Sequence, residues 1–321
     1  MIGYDRAMDL WDAGRELAAW VERAKVVLSP EERKVLASAP RIIARIARYA
    51  LFHKGEDAVT DDIDARDPDH VALFVDLFRI LGRAYFRVRF EGTENVPKEG
   101  GALLVGNHNG GLVPADSFMT GVALFDSQPK GRAMYALAHD FLFDDPVLRR
   151  WATRLGILRA GHASARRALD AGHMVLVYPG SDYDAFRPSS DRNRVVLAGR
   201  KGFLKLALRA GVPIVPIVAK GSHQQFIILT RGERIGRAIG IRRLARTDVM
   251  PIMLALPWGL TSGFLPYIPW PARVTIAFGE PIRFPHLGPE SADDPAALEA
   301  CYREVETRMQ AMLDRLVAGD P

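Results

Sequence analysis

One cysteine, Cys301, stands among the 321 residues, so no internal disulfide can form. It shares helical spacing with Leu298, Val305, Met309, Met312 and Leu316, which predicts a buried core thiol. Residues 1–26 lack an apolar h-region and carry Asp5, Asp9, Asp12, Arg15, Glu16 and Glu22, so no signal peptide is visible and a cytoplasmic protein is expected. No repeat of a few tens of residues recurs, which argues against a solenoid or propeller. G-x-S-x-G, the P-loop, the dinucleotide fingerprint and H-E-x-x-H are all missing. A serine hydrolase, a nucleotide hydrolase, a dehydrogenase and a zincin thereby lose their usual support.

Charge of one sign is in small excess, +5 overall. Where it lies matters more. Between Arg231 and Arg246 six arginines stand against one acid, Glu233, which matches the excess of the whole chain. No aromatics are interleaved to stack bases, so nucleic acid is not the expected partner and an anionic membrane surface is. The longest uncharged stretch, Val249–Ala272, has the length of a membrane span. Pro251, Pro257, Pro266, Pro269 and Pro271 would break such a helix repeatedly. With Trp258, Phe264, Tyr267 and Trp270 it reads as a folded apolar loop region that walls an acyl-chain cavity or rests at the lipid interface. Membrane contact is therefore expected to be peripheral.

What is present falls into two parts. Residues 1–90 read as a helical N-terminal extension, and 91–321 as one α/β domain. In the first part Pro40 opens a segment whose Arg41, Arg45 and Arg48 share one face, the pattern of a basic helix at a membrane interface. Asp69–Phe90 carries an amphipathic stripe through Leu73, Phe74, Leu77, Phe78 and Leu81. In the second part Gly101–Gly106, Met174–Tyr178, Val212–Val218 and Val274–Phe278 read as buried strands. Helical stretches at Asp116–Phe125, Ala163–Ala171 and Lys201–Ala210 lie between them. This alternation predicts a mixed or mostly parallel sheet covered by helices, with ligands at the carboxyl ends of the strands.

The stretch most telling of chemistry is Val105–Asp116, VGNHNGGLVPAD. Here a buried strand runs into a glycine-rich turn holding an imidazole. Acyl transfer to an alcohol needs a base; a neutral histidine serves when a carboxylate holds its second nitrogen. His108 and Asp116 supply both groups. Gly110 and Gly111 let backbone N–H groups approach a developing oxyanion or a phosphate. Farther on, a tight Pro179–Gly180 turn follows a strand, with Ser181, Asp182, Asp184 and Arg187 behind it: a polar pocket for an acceptor headgroup. Arg187, Arg200 and Lys201 are expected to hold a phosphate there. Asp182 is the rival carboxylate for His108.

These residues resemble the glycerophospholipid acyltransferases, whose first block is asparagine-histidine, four residues, then aspartate. Asn107 and His108 match as they stand. The aspartate position holds Val113, and the resemblance places its role on Asp116, as in a subgroup similar to diacylglycerol acyltransferase-like proteins with a proline, here Pro114, shortly before the acid. Tyr178–Arg187 resembles the third block, with Gly180 where the wider family has glutamate. Gly156–Arg159 resembles the second block and Val212–Ile217 the fourth, so the likeness runs from about Ala84 to Phe284. The resemblance implies that Asn107 and Arg159 join the substrate site. It also implies transfer of a fatty acyl group from acyl-CoA or acyl carrier protein to a glycerol-phosphate or lysophospholipid hydroxyl, with no metal and no organic cofactor. The alternatives are a neutral acceptor such as diacylglycerol, a non-catalytic lipid-binding protein, and, third, a metal-dependent hydrolase.

Overall fold

Strand-length apolar runs and helix-capping residues account for most of the architecture. The structure, a computed structural model, describes residues 61–319 except 110, 112, 113, 243–246, 257, 264 and 266. The basic segment after Pro40, Gly110 and the end of the arginine run lie outside the described residues. Helix α1, Pro68–Ala84, begins where Asp67 accepts hydrogen bonds from the N–H groups of Asp69 and His70, with Pro68 in the first turn. It ends six residues before the expected Phe90. Arg87 takes a positive φ of 45° and turns the chain into strand β1, Arg89–Glu91. The described part of the expected extension therefore packs on the sheet and its helices, with Val71 and Val75 against Val122.

Three strands predicted from the sequence form the middle of the main sheet: β2, Ala102–Gly106; β5, Met174–Val177; and β6, Ile214–Lys220. Toward one edge lie β3, Met134–Ala138, and β4, Ile157–Arg159; toward the other lies β10, Thr275–Phe278. The order is β1-β10-β6-β2-β5-β3-β4, and only the β10–β6 pairing is antiparallel. The predicted mostly parallel sheet is thus present. Strand β2 is buried on both faces, so it reads as an unbroken apolar run. Its Leu103 and Val105 meet α4 (His162–Asp170), α6 (Gly202–Ala210) and α8 (Pro295–Ala318), while Ala102 and Leu104 meet α2 (Ala115–Ser127). Cys301 is buried in the first of these layers, as its spacing predicted.

The apolar stretch after Val249 is more ordered than a loop. Strand β8, Ile252–Ala255, pairs antiparallel with β7, Ile227–Thr230, on one side and with β9, Gly259–Ser262, on the other, in a second sheet. Tyr267 and Trp270 are buried, whereas Trp258 is exposed. Helix α7, Glu233–Ile239, follows β7. Among the described residues no helix is long and apolar enough to cross a membrane.

Candidate active site

The loop after β2 carries the histidine, and the asparagines on either side hold it in place. Asn107 grips β6 through both ends of its amide: Ala219 N–H donates to its Oδ1 at 2.7 Å, and its Nδ2 donates to Ala219 O at 3.3 Å. Asn109 Nδ2 donates to the same carbonyl at 2.8 Å. Both side chains are fully buried, so the expected substrate contact of Asn107 is replaced by a loop anchor.

Between them His108 projects its ring over Tyr178, stacked at 4.5 Å between centroids and 23° between planes. Its Nδ1 is buried without a hydrogen-bond partner and lies 3.5 Å from Asp116 Oδ2. That separation is beyond a good hydrogen bond, so the carboxylate acts on the ring chiefly by its charge. Asp116 is itself held, because Oδ2 accepts the Asn109 N–H at 2.6 Å and Oδ1 the Ser117 N–H at 2.8 Å. It stands in the first turn of α2, where the helix favours negative charge. Nδ1 directed toward Asp116 leaves Nε2 on the opposite side of the ring. Beneath the ring, burial and then the charge of Asp116 push the Tyr178 phenol well above its ordinary range, despite hydrogen bonds to Ser117 and Thr120. The phenol stays neutral.

The third block supports this loop from below. Helix α5 is a single short turn, Ser181–Ala185, entered through a positive φ of 49° at Ser181. Asp184 accepts the backbone N–H of His108 in a very short hydrogen bond. Arg187 is wholly buried; its Nη1 donates to Asp184 Oδ1 at 2.6 Å and to His108 O at 2.9 Å, and its Nη2 donates to Asn109 Oδ1 and Arg192 O. Its Nε donates to Asp191 O at 3.2 Å. The expected phosphate ligand is thus committed to protein acceptors on both sides of the histidine loop. His223, after β6, closes this layer: burial, then the charge of Arg187, push it down to about 3, so it is neutral and donates its Nε2–H to Arg187 O at 2.8 Å.

Burial pushes the Asp184 carboxyl up to about 6, with the Arg187 guanidinium and the His108 N–H pulling the other way. Its position also accounts for Gly180. A β-carbon at 180 would collide with the Val196 carbonyl oxygen and the Asp184 Cβ, and would sit 3.1 Å from the Asp184 carboxyl carbon. Asp184 fills the space into which a side chain at 180 would grow. Gly180→Ala is expected to destabilise the fold by about 2 kcal/mol, the usual scale of overpacking, read from the denaturant midpoint. A variant as stable as the parent would show that this contact relaxes freely.

The remaining expected residues lie around the rim. Arg200 is half exposed, 3.1 Å from Asp182 and 3.3 Å from Pro179 O. Asp182 also takes the Thr247 hydroxyl, which makes it a partner of the rim and not of His108. Lys201 turns to Glu299 on α8 at 2.7 Å. Arg159 ends β4, three strands from β2, on the order of 14 Å away at the usual strand spacing. There it lies over the Phe143 ring and 3.8 Å from Asp140. Pro179 and Gly180 are buried in their turn, and Gly111, at φ 54°, lies against the Tyr267 hydroxyl and the Phe186 ring. Among the described residues no three His, Cys, Asp or Glu side chains gather in a way that would hold a metal. The supporting pair Asp184–Arg187 was not assigned its role from the sequence, although its i,i+3 spacing carried the signal.

Residues 87–220 match the Acyltransferase family. The uncharacterized protein Rv0502 of Mycobacterium tuberculosis is 33% identical over 279 residues, which cover 87% of this chain and 75% of that protein. The chain belongs to the acyltransferase family. A DGAT1/2-independent enzyme synthesizing storage lipids from Bos taurus is 25% identical to the acyltransferase over 231 residues, covering 70% of the acyltransferase and 58% of the relative. The crystal structure of the 1-acyl-sn-glycerophosphate (LPA) acyltransferase PlsC from Thermotoga maritima matches at a TM-score of 0.49 and 18% identity, over 90% of this chain and 98% of that one. The matched family segment holds His108, Asp116 and the whole third block, so the acyltransferase keeps its histidine loop and its support in one continuous unit.

Proposed function

We propose that this acyltransferase moves a fatty acyl group from a thioester donor, acyl-CoA or acyl carrier protein, to the hydroxyl of a glycerolipid at a membrane face. The observation that carries the reading is the buried His108 Nδ1 lying 3.5 Å from Asp116, with Nε2 left for the substrate. His108 Nε2 takes the acceptor hydroxyl proton, and the oxygen attacks the thioester carbonyl carbon. The C–S bond breaks, and the departing thiolate recovers the proton from His108. Asp116 stabilises the imidazolium formed on the way, and the Gly111 backbone N–H is the donor offered to the oxyanion. The expected extension, residues 1–90, enters this proposal through its basic segment after Pro40, whose Arg41, Arg45 and Arg48 add to the attraction for an anionic membrane.

For the acceptor, the pairing of the cations supports one reading. Arg187 is committed within the protein, and Lys201 and Arg200 are each shared with an acid at the rim, Glu299 and Asp182, which weakens all three groups expected to grip a phosphate. A neutral glycerolipid acceptor, of the diacylglycerol kind, is therefore favoured. The second reading, a glycerol-phosphate or lysophospholipid acceptor, rests on Arg200, whose side chain is 45% exposed but shared with Asp182. Purified protein given one acyl-CoA and diacylglycerol, lysophosphatidate or glycerol 3-phosphate in parallel, with products read by mass spectrometry, is expected to acylate diacylglycerol fastest and to be indifferent to Arg200→Ala. Faster transfer to a phosphorylated acceptor, lost in Arg200→Ala, would reverse the choice. Failure with every acceptor and either donor would leave a lipid-binding protein.

A further inference from the structure

In the small sheet, side chains alternate between two faces, and both are mainly apolar. Ile228, Met253 and Ala255 point inward to a core with Phe226, Val249 and Tyr267. The register pairs Ile227 with Leu254 and Leu254 with Leu260, so these three form one cross-strand row on the opposite face. Ile252 shares that face with Leu254, two residues away on β8. An antiparallel sheet with one buried face ordinarily presents polar residues on the other. Here Thr230 and Ser262 flank Ile252, but the rest of the face is aliphatic and open: Leu260 is 66% exposed and Leu229, at the bulge of β7, 52%. Trp258 at the β8–β9 turn and Ile268, bridged to Leu256, are exposed beside them.

This is a concentration, not a scatter. Of the nine large apolar side chains exposed among the described residues, seven fall between Leu229 and Ile268. Single exposed leucines need no explanation, but a contiguous patch marks a docking surface. The chemistry of the occupant follows from what adjoins the patch. Helix α7 carries exposed Arg234 and Arg237 with exposed Ile235 and Ile239, and Arg242 beyond it is also exposed. Val249–Ala272 contributes no charge of either sign. Aliphatic side chains with a tryptophan, bordered by arginines, complement the acyl region and the anionic headgroups of a bilayer.

The inner side of the same unit meets the active site. Tyr267 lies against Gly111, Arg231 Nε donates to Tyr183 O at 2.9 Å and stacks over the Tyr183 ring, and Thr247 binds Asp182. We infer that the outer face of β7–β8–β9, with α7, docks on an anionic lipid bilayer and so holds the histidine loop against the surface from which lipid acceptors arrive. The inference rests on the membrane-face reading above and adds the face that makes contact.

The experiment uses the full chain and vesicles of phosphatidylcholine with or without phosphatidylglycerol, read by co-flotation. Three variants are compared with the parent: Leu229→Ser with Leu260→Ser, Trp258→Ser, and Arg234→Glu with Arg237→Glu. None of these residues belongs to the catalytic or binding machinery, so transfer to a short-chain acceptor dispersed in detergent is expected to stay at the parent level and to report folding. The double serine variant is expected to lose roughly tenfold or more in vesicle partitioning, since even part of two leucine burials is worth that much. Trp258→Ser should weaken partitioning to a smaller degree, and the arginine variant should lose its preference for anionic vesicles. A parent that never floats with vesicles overturns the membrane reading itself. A parent that floats while all three variants float equally well overturns only the assignment of this face. Conversion of an oligomer to a monomer by the serine variant, with vesicle binding kept, assigns the face to a second copy of the chain and also overturns it.

Discussion

His108→Ala lowers the acyl-transfer rate by about a thousandfold, the middle of the range for removing a general base, while far-UV circular dichroism stays native. The ring contributes one stacking contact with Tyr178, whereas the loop is held by backbone and asparagine contacts that alanine leaves intact. The measurement is kcat on detergent-dispersed acceptor, so that membrane binding does not enter. Asp116→Asn should be severe but milder: the charge beside Nδ1 goes while the base remains. It also sets an amide against the Asn109 N–H that the carboxylate accepts. Asp182→Asn should do least, because Asp182 serves Arg200 and Thr247. If the alanine variant keeps most of its activity, or if Asp182→Asn is the most damaging of the three, the assignment of base and partner is wrong.

Arg187→Ala is expected to cost about 3–5 kcal/mol of folding stability, the scale for breaking a buried ion pair from one side. The guanidinium is fully buried and bridges Asp184, His108 and Asn109, so its loss strands a carboxylate and several carbonyls together. The pH dependence identifies the cause. In the parent the Asp184 carboxyl is raised to about 6 in the fold from 3.8. The folded state therefore binds this proton more tightly than the unfolded chain. The associated stability is fully present below the unfolded value and is lost as pH rises through about 6. Removing Arg187 takes away an interaction that lowers this value, so the variant's deficit should be larger at pH 8 than at pH 5. Adding Asp184→Asn should recover much of the deficit at pH 8. Denaturant titrations at the two pH values decide it; an equal deficit at both would mean that lost packing, and not a stranded charge, sets the cost.

Different parts of the molecule were legible in the sequence to different degrees. The four buried strands and three helices appeared where apolar runs and stripes placed them, because these patterns are local consequences of the strand and helix repeats. The end of α1 was not legible, since the stripe continues past the point where Arg87 turns the chain. The β8 and β9 strands were hidden by the same prolines that excluded a membrane helix.

By itself the sequence determined the chemistry on offer: an imidazole and an acid on a glycine-rich turn after a buried strand, followed in order by a Pro-Gly turn with acids and an arginine. It could do so because residue type and spacing specify what a turn can present. Which charged groups remain available was decided only in three dimensions. Arg187 and Arg200 look alike as letters, yet one is buried and the other half exposed, because the first lies beneath the asparagine-pinned loop and the second at the rim. Asp184 occupies the space beside Gly180 only because one helical turn brings it back over that residue. The apolar residues of β8 are all alike in sequence, but packing against Phe226 and Tyr267 buries one set and leaves the other outward. Burial depends on what arrives from distant parts of the chain, and no local pattern records that.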